Sequence, residues 1–360
     1  MELSICTIMK NEMDNLPAFI EKLKDYGFGD NGENGELILV DTGSSDGSLD
    51  YAKEHLKTVY TYEWCSDFSA ARNYAASKAK YDIILVLDVD ELIAEMNMSE
   101  FANQLVSLDK TIGRLHINNY STNEGIRTNH YVWLPRIYNR KVCQFAGSVH
   151  EQIVFINGGT KDFTDFPLIV DHTGYDLSLE KLKKKAIRNN EILFKELERK
   201  PKDPYIHYQI GQSFLLVRDY ESALPWFEKA VGFDLDPNEQ YVQMIITGYG
   251  ECLMNLGRTE EALCLKSVYE DMKNCPEYLF MMGQIYLNNN QPINAYKEFY
   301  SCLSLSNERI AGMTTFFPLH NIGVINEMLG EKDAAIQFYE KAASYGYVRS
   351  KQRLEELRQK

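Results

Sequence analysis

Three acidic residues stand at the end of an apolar run in the first third of the chain. Residues 83–87 are all aliphatic, and Asp88, Asp90 and Glu91 follow with a single valine among them. Such a run is typical of a strand buried on both faces, which places the acids at its carboxyl end, where open α/β sheets bind ligands. Two carboxylates one residue apart can hold a hard divalent cation together with the phosphates that it bridges. The alternative is a plain strand end whose acids cap a following helix.

A second polar cluster follows another apolar run. Residues 36–40 read ELILV, and the turn DTGSSDG at residues 41–47 comes directly after them. This turn offers carboxylates, hydroxyls and backbone N–H groups beside the tip of a predicted strand. Its pattern is neither G-x-G-x-x-G nor G-x-x-x-x-G-K-[ST], so a dinucleotide site and a P-loop both lose their main support.

Strands and helices must alternate to bring these two turns to one edge of a sheet. The first 80 residues predict strands at 3–9, 36–40 and near 59, and helices around 16–23, 48–56 and 67–79. Short links between alternating strands and helices indicate a parallel sheet built from βαβ units. The domain continues with strands at 114–118 and 131–138, a turn near 145–151 that leads into another strand, and a strand with a polar turn at 168–175.

Composition and charge narrow the class of protein. The 360 residues are 44% hydrophobic and 25% charged, as in ordinary globular proteins, and the length favours two domains. A net charge of −14 argues against a general nucleic-acid binder. The seven cysteines are scattered and show no C-x-x-C pair, which argues against a zinc site and a disulfide framework. With no apolar stretch of membrane length and no secretion signal, a cytoplasmic protein without a membrane span is expected.

Four motifs occur in a fixed order over about 90 residues. They are a strand that ends near Asn11 and Glu12, the DTGSSDG turn, WCSDFSAARN at residues 64–73 and LDVDE at residues 87–91. In this order they resemble glycosyltransferase family 2, whose catalytic domain has the GT-A nucleotide-sugar fold. The resemblance implies a site for a base, a ribose and two phosphates, in which the charge that grows on the departing diphosphate is neutralised.

The resemblance also implies roles for individual side chains around the nucleotide sugar: Asn11, Glu12, Asp41, Asp46, Arg72 and Asp88. Asp41 matches the acid that contacts the base, and Arg72 matches a basic residue that flanks the nucleotide. Asp46 either supports the same pocket or only stabilises its own turn as an Asx residue. The alternative for Arg72 is a cation on a surface helix.

A divalent metal, Mn²⁺ or Mg²⁺, is implied in the same way. Asp90 matches its principal ligand, and Asp88 is shared between the ribose and the metal. His172 lies at a strand end where related sequences return a histidine to the metal or the diphosphate, and imidazole suits Mn²⁺ better than Mg²⁺. A purely structural histidine is the alternative.

The acceptor half of the site follows Glu91. Inverting transfer needs a carboxylate that takes the proton of the acceptor, and Glu151 is the predicted base. The position departs from the Glu-Asp pair common in the family, and the alternative is a carboxylate that orients Arg136 or His150. The residues predicted to contact the acceptor are Glu91, Trp133, Arg136 and His150. Glu91 is alternatively only a helix cap.

The second half of the chain carries a repeat. Ser178 is placed to cap a long helix that reaches about Arg199, and Pro201 and Pro204 mark a boundary. A glycine precedes an alanine by twelve residues four times: Gly211 and Ala223, Gly250 and Ala262, Gly283 and Ala295, Gly323 and Ala335. This resembles the tetratricopeptide repeat, a helical hairpin of about 34 residues whose copies stack into a curved solenoid. The second copy is the weakest match, because Lys266 replaces the usual aromatic residue.

The sequence therefore predicts an α/β GT-A domain at residues 1–176, a linker helix at 177–203 and an all-α repeat domain at 204–360. The expected function is transfer of a single sugar, with a UDP-sugar favoured as donor, since the chain lacks the membrane helices and the Gln-x-x-Arg-Trp motif of processive synthases. The arrangement resembles bacterial peptide S-glycosyltransferases that modify a bacteriocin cysteine, so a peptide or protein acceptor is expected. A solenoid surface also binds other subunits, which leaves a homo-oligomer open.

Two alternatives remain at the level of sequence. The chain also resembles enzymes that decorate flagellin or the lipopolysaccharide core. In a different class, the repeats would carry the function as a protein-binding module and the first domain would be degenerate. Against the second alternative stands the full set of acids, which a decayed site need not keep.

Overall fold

The computed structural model of the protein describes residues 2–30, 32–105, 108–123, 126–159, 162–172, 179–237 and 239–359. The chain forms two compact units, Met1–Leu177 and Ser178–Lys360. The boundary predicted at 176/177 and the predicted cap Ser178 lie outside the described residues. The separate linker at 177–203 stays a prediction.

The first unit is built on a mixed sheet. Its strands are β1 (Leu3–Met9), β2 (Glu36–Asp41), β3 (Val59–Thr61), β4 (Ile83–Val86), β5 (Glu91–Met96), β6 (Ile112–Asn123), β7 (Ile126–Asn139), β8 (Cys143–Ala146), β9 (Gln152–Phe155) and β10 (Phe163–His172). Its helices are α1 (Leu16–Asp25), α2 (Ser48–His55), α3 (Phe68–Lys78) and α4 (Met98–Gln104). Eight strands pair in the order β3-β2-β1-β4-β7-β6-β10-β5, and β8 pairs with β9 in a small separate hairpin.

The parallel half of this sheet follows the sequence pattern closely. Strands β3, β2, β1 and β4 are parallel, with Met9 opposite Asp41 and Cys6 opposite Val86. Alternate residues of β1 enter two separate cores, with Ile5 in one and Cys6 in the other. Burial on both faces explains why these strands read as continuous apolar runs. The polar turns after β1, β2 and β4 therefore meet at one edge.

The helix-cap alternative for Glu91 is wrong. Glu91 begins strand β5, which pairs antiparallel with β10 so that Glu91 lies opposite His172. Glu91 and Ile93 are buried while the residues between and after them are more exposed, which is the period-two pattern of a strand. The pattern is only six residues long and its partner lies about 80 residues away, which is why sequence reasoning missed this strand.

The second unit is helical. Its α-helices are α5 (Leu179–Arg199), α6 (Pro204–Leu216), α7 (Tyr220–Val231), α8 (Gln240–Asn255), α9 (Tyr269–Met272), α10 (Pro276–Asn288), α11 (Pro292–Cys302), α12 (Phe316–Met328), α13 (Lys332–Ser344) and α14 (Val348–Arg358). A 3-10 helix spans Glu261–Val268. The hairpins α6/α7, α10/α11 and α12/α13 confirm three of the predicted repeats. In the second repeat the 3-10 helix replaces the expected α-helix, and Lys266 is exposed while Leu265 fills the core.

The glycines of the repeats permit close helix packing. A Cβ atom built on Gly211, Gly283 or Gly323 would meet the ring of Phe227, Phe299 or Tyr339, each of them fully buried. In the second repeat the neighbours of Gly250 are Leu265 and Met281 instead. The twelve-residue interval between glycine and alanine thus marks the contact of two paired helices.

We expect Gly283→Ala to destabilise the second unit by about 1–3 kcal/mol, because the added methyl would lie 2.5 Å from Phe299 Cε1 inside a packed core. Chemical denaturation followed by far-UV circular dichroism measures the loss. Lys297→Ala on the same hairpin is the control, since Lys297 is exposed on α11. Equal stability of the two variants would contradict the packing role of the glycine.

A half-buried histidine makes the second unit sensitive to acid. Burial, assisted by the charge of Arg349, lowers the pKa of His320 to about 4 from an ordinary 6.5. As the pH falls from about 6.5 to 4, His320 is protonated in the unfolded chain but stays neutral in the folded protein. The free energy of unfolding therefore decreases over this pH range. We expect His320→Gln to flatten this part of the pH-stability profile, by at most about 1.4 kcal/mol per pH unit. His55→Gln, which removes an exposed histidine, should leave the profile unchanged.

Two sequence expectations concern what the chain lacks. All seven cysteines are free thiols, as their scattered spacing predicts. None of the helices in the described part of the chain is long and apolar enough to cross a membrane.

Candidate active site

The turns after β1 and β2 bind each other through polar side chains. The Asn11 N–H donates to Ser44 Oγ at 2.9 Å, and the Ser45 N–H donates to Asn11 Oδ1 at 2.7 Å. Asn11 has φ 56°, a left-handed conformation that asparagine tolerates better than most residues. The hydroxyl of Thr42 donates to the carbonyl oxygen of Met9 at 3.0 Å. These contacts join the first two predicted motifs into one rim.

The acids of this rim are engaged with the backbone. Asp41 is 2% exposed, and its Oδ2 accepts the N–H groups of Gly43 and Ser44 at 2.9 and 3.1 Å. Asp46 accepts the N–H groups of Met13 and Ser48, both at 3.0 Å. Burial by itself would raise the pKa of Asp46, but the Ser48 and Met13 bonds lower it. The turn-stabilising alternative for Asp46 is thus the role that its contacts display, while base recognition by Asp41 stays a prediction.

Glu12 lies beside the same turn. Its N–H donates to Ser48 Oγ at 2.9 Å, and its carboxylate accepts from Asn15 Nδ2 at 3.0 Å. Burial is the main cause that raises the pKa of Glu12, and the charges of Asp90 and Asp88 contribute in the same direction. Glu12 therefore lies close enough to the acidic turn after β4 to be repelled by its carboxylates.

Five charged side chains of alternating sign form one ion-pair network. Its members, in order, are Glu151, Arg72, Asp88, Arg136 and Glu91. Arg72 donates through Nε to Glu151 and through Nη2 to Asp88 Oδ1 at 2.9 Å. Arg136 donates through Nη2 to Glu91 Oε1 at 2.7 Å and, at 3.4 Å, to Asp88 Oδ2. The network links the turn before β9, helix α3, the end of β4 and strand β7 to the start of β5.

Burial and pairing shift the pKa values within this network. Burial alone would raise the pKa of Asp88, but the charges of Arg72 and Arg136 outweigh it and hold that pKa well below its usual range. Burial raises the pKa of Glu91 despite the opposing charge of Arg136. The pKa of Arg72 lies above its ordinary value, because the carboxylates of Asp88 and Glu151 outweigh the effect of its burial. Arg72 is only 7% exposed, so the alternative of a surface helix cation is wrong.

Asp90 and His172 form a separate pair at the tips of neighbouring strands. His172 Nε2 lies 3.1 Å from Asp90 Oδ2, and its Nδ1 lies 2.9 Å from Asn119 Oδ1. Burial would lower the pKa of His172, but the hydrogen bond and charge of Asp90 raise it. Asn119 is a site residue that sequence reasoning missed. A polar residue at the end of the strand predicted at 114–118 was the available signal.

A divalent cation fits these residues only in part. Among the described residues, no three His, Cys, Asp or Glu side chains converge in a way that could hold a metal ion. Both oxygens of Asp88 face guanidinium groups, which leaves the pair of Asp90 and His172. Magnesium sites in phosphate-transfer enzymes use one or two protein carboxylates and complete their shell with substrate phosphates and water. The pair therefore fits a cation that a diphosphate helps to hold.

The predicted acceptor residues separate into two groups. Trp133 is 41% exposed, and its ring lies 5.4 Å from the ring of His116. His150 is exposed and has φ 52°. By contrast, Glu91 is 1% exposed and Arg136 is engaged with Asp88 and Glu91. The prediction that Glu91 contacts the acceptor directly is therefore wrong, because its side chain is buried.

The loop that carries Glu151 is attached to helix α3. Asn73 donates from Nδ2 to the carbonyl oxygen of Phe145 and accepts the N–H of the same residue, both at 2.9 Å. The Phe68 N–H donates to the carbonyl oxygen of Ser148 at 2.8 Å. The contact that the structure gives Glu151 is Arg72, rather than Arg136 or His150 as the alternative reading of Glu151 supposed.

These features define a class of protein, an α/β domain with a charged cluster at one edge of its sheet, followed along the chain by helical repeats. Residues 4–165 match the model of glycosyl transferase family 2, and residues 276–309 and 318–345 match a tetratricopeptide repeat model. The first unit is thus a glycosyl transferase family 2 domain, and the second carries tetratricopeptide repeats. Both resemblances drawn from the sequence motifs are confirmed.

Curated relatives share parts of this arrangement. A TPR repeat-containing protein of Synechococcus elongatus is 28% identical over 241 residues, which cover 64% of this chain and 56% of the relative. The SPbeta prophage-derived glycosyltransferase SunS of Bacillus subtilis is 27% identical over 231 residues, 62% of this chain and 52% of SunS. The chain thus spans about half the length of the curated relatives it matches. Among solved structures, MamA from Desulfovibrio magneticus RS-1 aligns over 46% of this chain and 92% of its own, with 17% identity and a TM-score of 0.38.

Proposed function

We propose that the first unit transfers a single sugar from a nucleotide-diphosphate sugar to an acceptor, with inversion at the anomeric carbon. The observation that carries this proposal is the meeting of Asp88, Asp90 and the Asp41 turn at the carboxyl edge of one sheet, within a glycosyl transferase family 2 domain. The similarity to SunS, a glycosyltransferase by name, supports the same reaction class.

The donor is proposed to lie along the rim formed by the turns after β1 and β2. Asn11, Glu12 and Asp41 border the nucleotide there, and Asp46 holds the turn through Met13 and Ser48. A UDP-sugar is favoured through the likeness of Asp41 to the base-reading acid of the family. Arg72 and Asp88 approach the ribose and the diphosphate from the next strand tip.

Asp90 and His172 are the proposed ligands of Mn²⁺ or Mg²⁺, with Asp88 close by. When bound, the cation supplies positive charge that stabilises the departing diphosphate. The imidazole must be neutral to act as a ligand, so the raised pKa of His172 makes proton and metal compete for it. Asn119 fixes the ring through Nδ1, as hydrogen-bond partners of metal-binding histidines do.

Glu151 is the proposed general base. The acceptor heteroatom forms a bond to the anomeric carbon as the bond from that carbon to the diphosphate oxygen breaks, and the acceptor proton passes to the Glu151 carboxylate. The Arg72 Nε–H donates to one oxygen of Glu151 and so orients the carboxylate. Trp133 and His150 remain the proposed acceptor contacts.

The acceptor is proposed to be a peptide or protein. The support is the second unit, since stacked tetratricopeptide repeats present an extended surface that suits a polypeptide. A cytoplasmic location and a homo-oligomer formed through the repeats belong to the same proposal.

Calorimetry across UDP- and GDP-sugars, with and without Mn²⁺, tests the proposed function. We expect one nucleotide family to bind, more tightly in the presence of the metal, and mass spectrometry to detect slow hydrolysis of the matching sugar nucleotide. Absence of binding and turnover across the whole panel would overturn the proposal in favour of a repeat-based binding protein.

A further inference from the structure

Arg136 and Glu91 contact the acidic turn from positions that are largely shielded from solvent. Glu91 is 1% exposed, and the side chain of Arg136 is 13% exposed. Glu91 is the last residue of the LDVDE motif, whereas Arg136 lies outside the four motifs, on β7, 45 residues further along the chain. Their contacts therefore need a different explanation from acceptor binding.

Glu91 closes the acidic turn in both directions. Its N–H donates to the carbonyl oxygen of Asp88 at 2.9 Å, and its Oε2 accepts the N–H of Asp88, also at 2.9 Å. Both backbone polar groups of Asp88 are thereby bound to one residue. The path of the chain through Asp90 is fixed between these two points.

Arg136 fixes the side chains of the same two residues. Its Nη2 donates to Glu91 Oε1 and Asp88 Oδ2, at 2.7 and 3.4 Å. Arg72 holds the other oxygen of Asp88, so the carboxylate has one defined orientation. Because Glu91 also lies opposite His172 in the pairing of β5 with β10, the same contacts set the position of Asp90 against His172.

We infer that Arg136 and Glu91 are positioning residues, which lock the turn at residues 88–91 so that Asp88 and Asp90 meet the nucleotide diphosphate without rearrangement. This inference rests on the proposed function. A buried ion pair is a weak source of stability, because the cost of removing both charges from water offsets their attraction. The Nε of Arg136 is also buried with no hydrogen-bond partner among the described residues, which adds to that cost. The Arg136–Glu91 ion pair is better explained by its effect on the site, where it holds charged groups in place before the ligand binds.

The test compares Arg136→Lys and Glu91→Gln with Arg140→Lys. Lysine keeps the charge but loses the fork of the guanidinium, and glutamine keeps the shape but offers only one acceptor oxygen to two donors. Arg140 is the matched control, since it is paired with Asp82 and donates to the carbonyl oxygens of Ala76 and Ala79, away from the acidic turn. The probes are UDP binding by calorimetry with Mn²⁺ present, kcat and KM for the hydrolysed sugar nucleotide, and the melting temperature.

We expect Arg136→Lys and Glu91→Gln to weaken UDP binding or lower kcat/KM by about 10–100-fold, as loss of the hydrogen bonds that orient site residues does. Arg140→Lys should change UDP binding and kcat/KM less than threefold, even if it lowers the melting temperature as much as the two test variants do. Should one test variant fail to fold, the other still decides the question. Unchanged binding and kcat/KM in the folded test variants would overturn the inference, while failure of the wild-type protein to bind any nucleotide would instead overturn the proposed function.

Discussion

Asp90→Ala should abolish the metal-dependent part of donor binding and reduce turnover by about 10²–10³-fold. A bound cation contributes several kcal/mol of charge stabilisation in the transition state, and about 1.4 kcal/mol corresponds to a factor of ten in rate. Asp90 contacts His172, whereas the ion-pair network runs through Asp88, so Asp90→Ala removes no member of that network. Calorimetry with UDP, with and without Mn²⁺, measures the binding part and product formation measures the rate.

Glu95→Ala provides the matched control for Asp90→Ala. Glu95 is an exposed carboxylate on the same strand, β5, and its removal should change neither the metal response nor the turnover. A metal response that survives in Asp90→Ala would exclude Asp90 as the principal ligand. If Glu95→Ala lost the metal response equally, the metal effect would depend on the net negative charge of this region rather than on Asp90.

Glu151→Gln should preserve donor binding within about threefold and lower transfer by about 10²–10⁴-fold, the range that general base catalysis contributes. The amide oxygen can still accept the Arg72 Nε–H, so the shape of the network is kept while the basic group is lost. A donor titration and a single-turnover transfer assay separate the two effects.

A structural role of Glu151 predicts a different result. If Glu151 only orients Arg72, glutamine should support near-normal transfer, and Arg72→Lys should weaken donor binding in the same way as Glu151→Ala. Asp82→Asn is the control, because Asp82 is also paired with an arginine, Arg140, but lies away from the site. Transfer by Glu151→Gln at the rate of this control would exclude the base role.

The parallel half of the fold was predictable because its signals are local. Strands β1, β2 and β4 are buried on both faces, so each reads as an uninterrupted apolar run with polar residues at its end. The repeats were predictable for a related reason, since a glycine recurs where one helix of a hairpin packs against an aromatic ring of its partner helix. The second repeat was the weakest prediction, and it is the one in which a 3-10 helix replaces an α-helix.

The antiparallel half of the sheet was only partly predictable from the sequence, because its strands depend on partners that are distant along the chain. Strand β5 is six residues long and pairs with β10, and Glu91 is buried only because that pairing covers it. The sequence alone therefore predicts acceptor contact or a helix cap for Glu91 rather than a buried strand position. For the same reason the sequence does not reveal that Arg136 pairs with Asp88 and Glu91.

The sequence by itself determined which acids end strands, that Asp41, Asp88 and Asp90 share one edge, and that helical repeats follow. Strand ends and helix contacts are read from neighbouring residues, whose spacing the chain fixes directly. Only the tertiary structure decided how the charges pair. Arg72 meets Glu151 across 79 residues and Arg136 meets Glu91 across 45, because the sheet order places β7 beside β4 and the turn before β9 beside α3. Coulomb attraction depends on distance in space, and no local pattern reveals which opposite charges the fold will bring together.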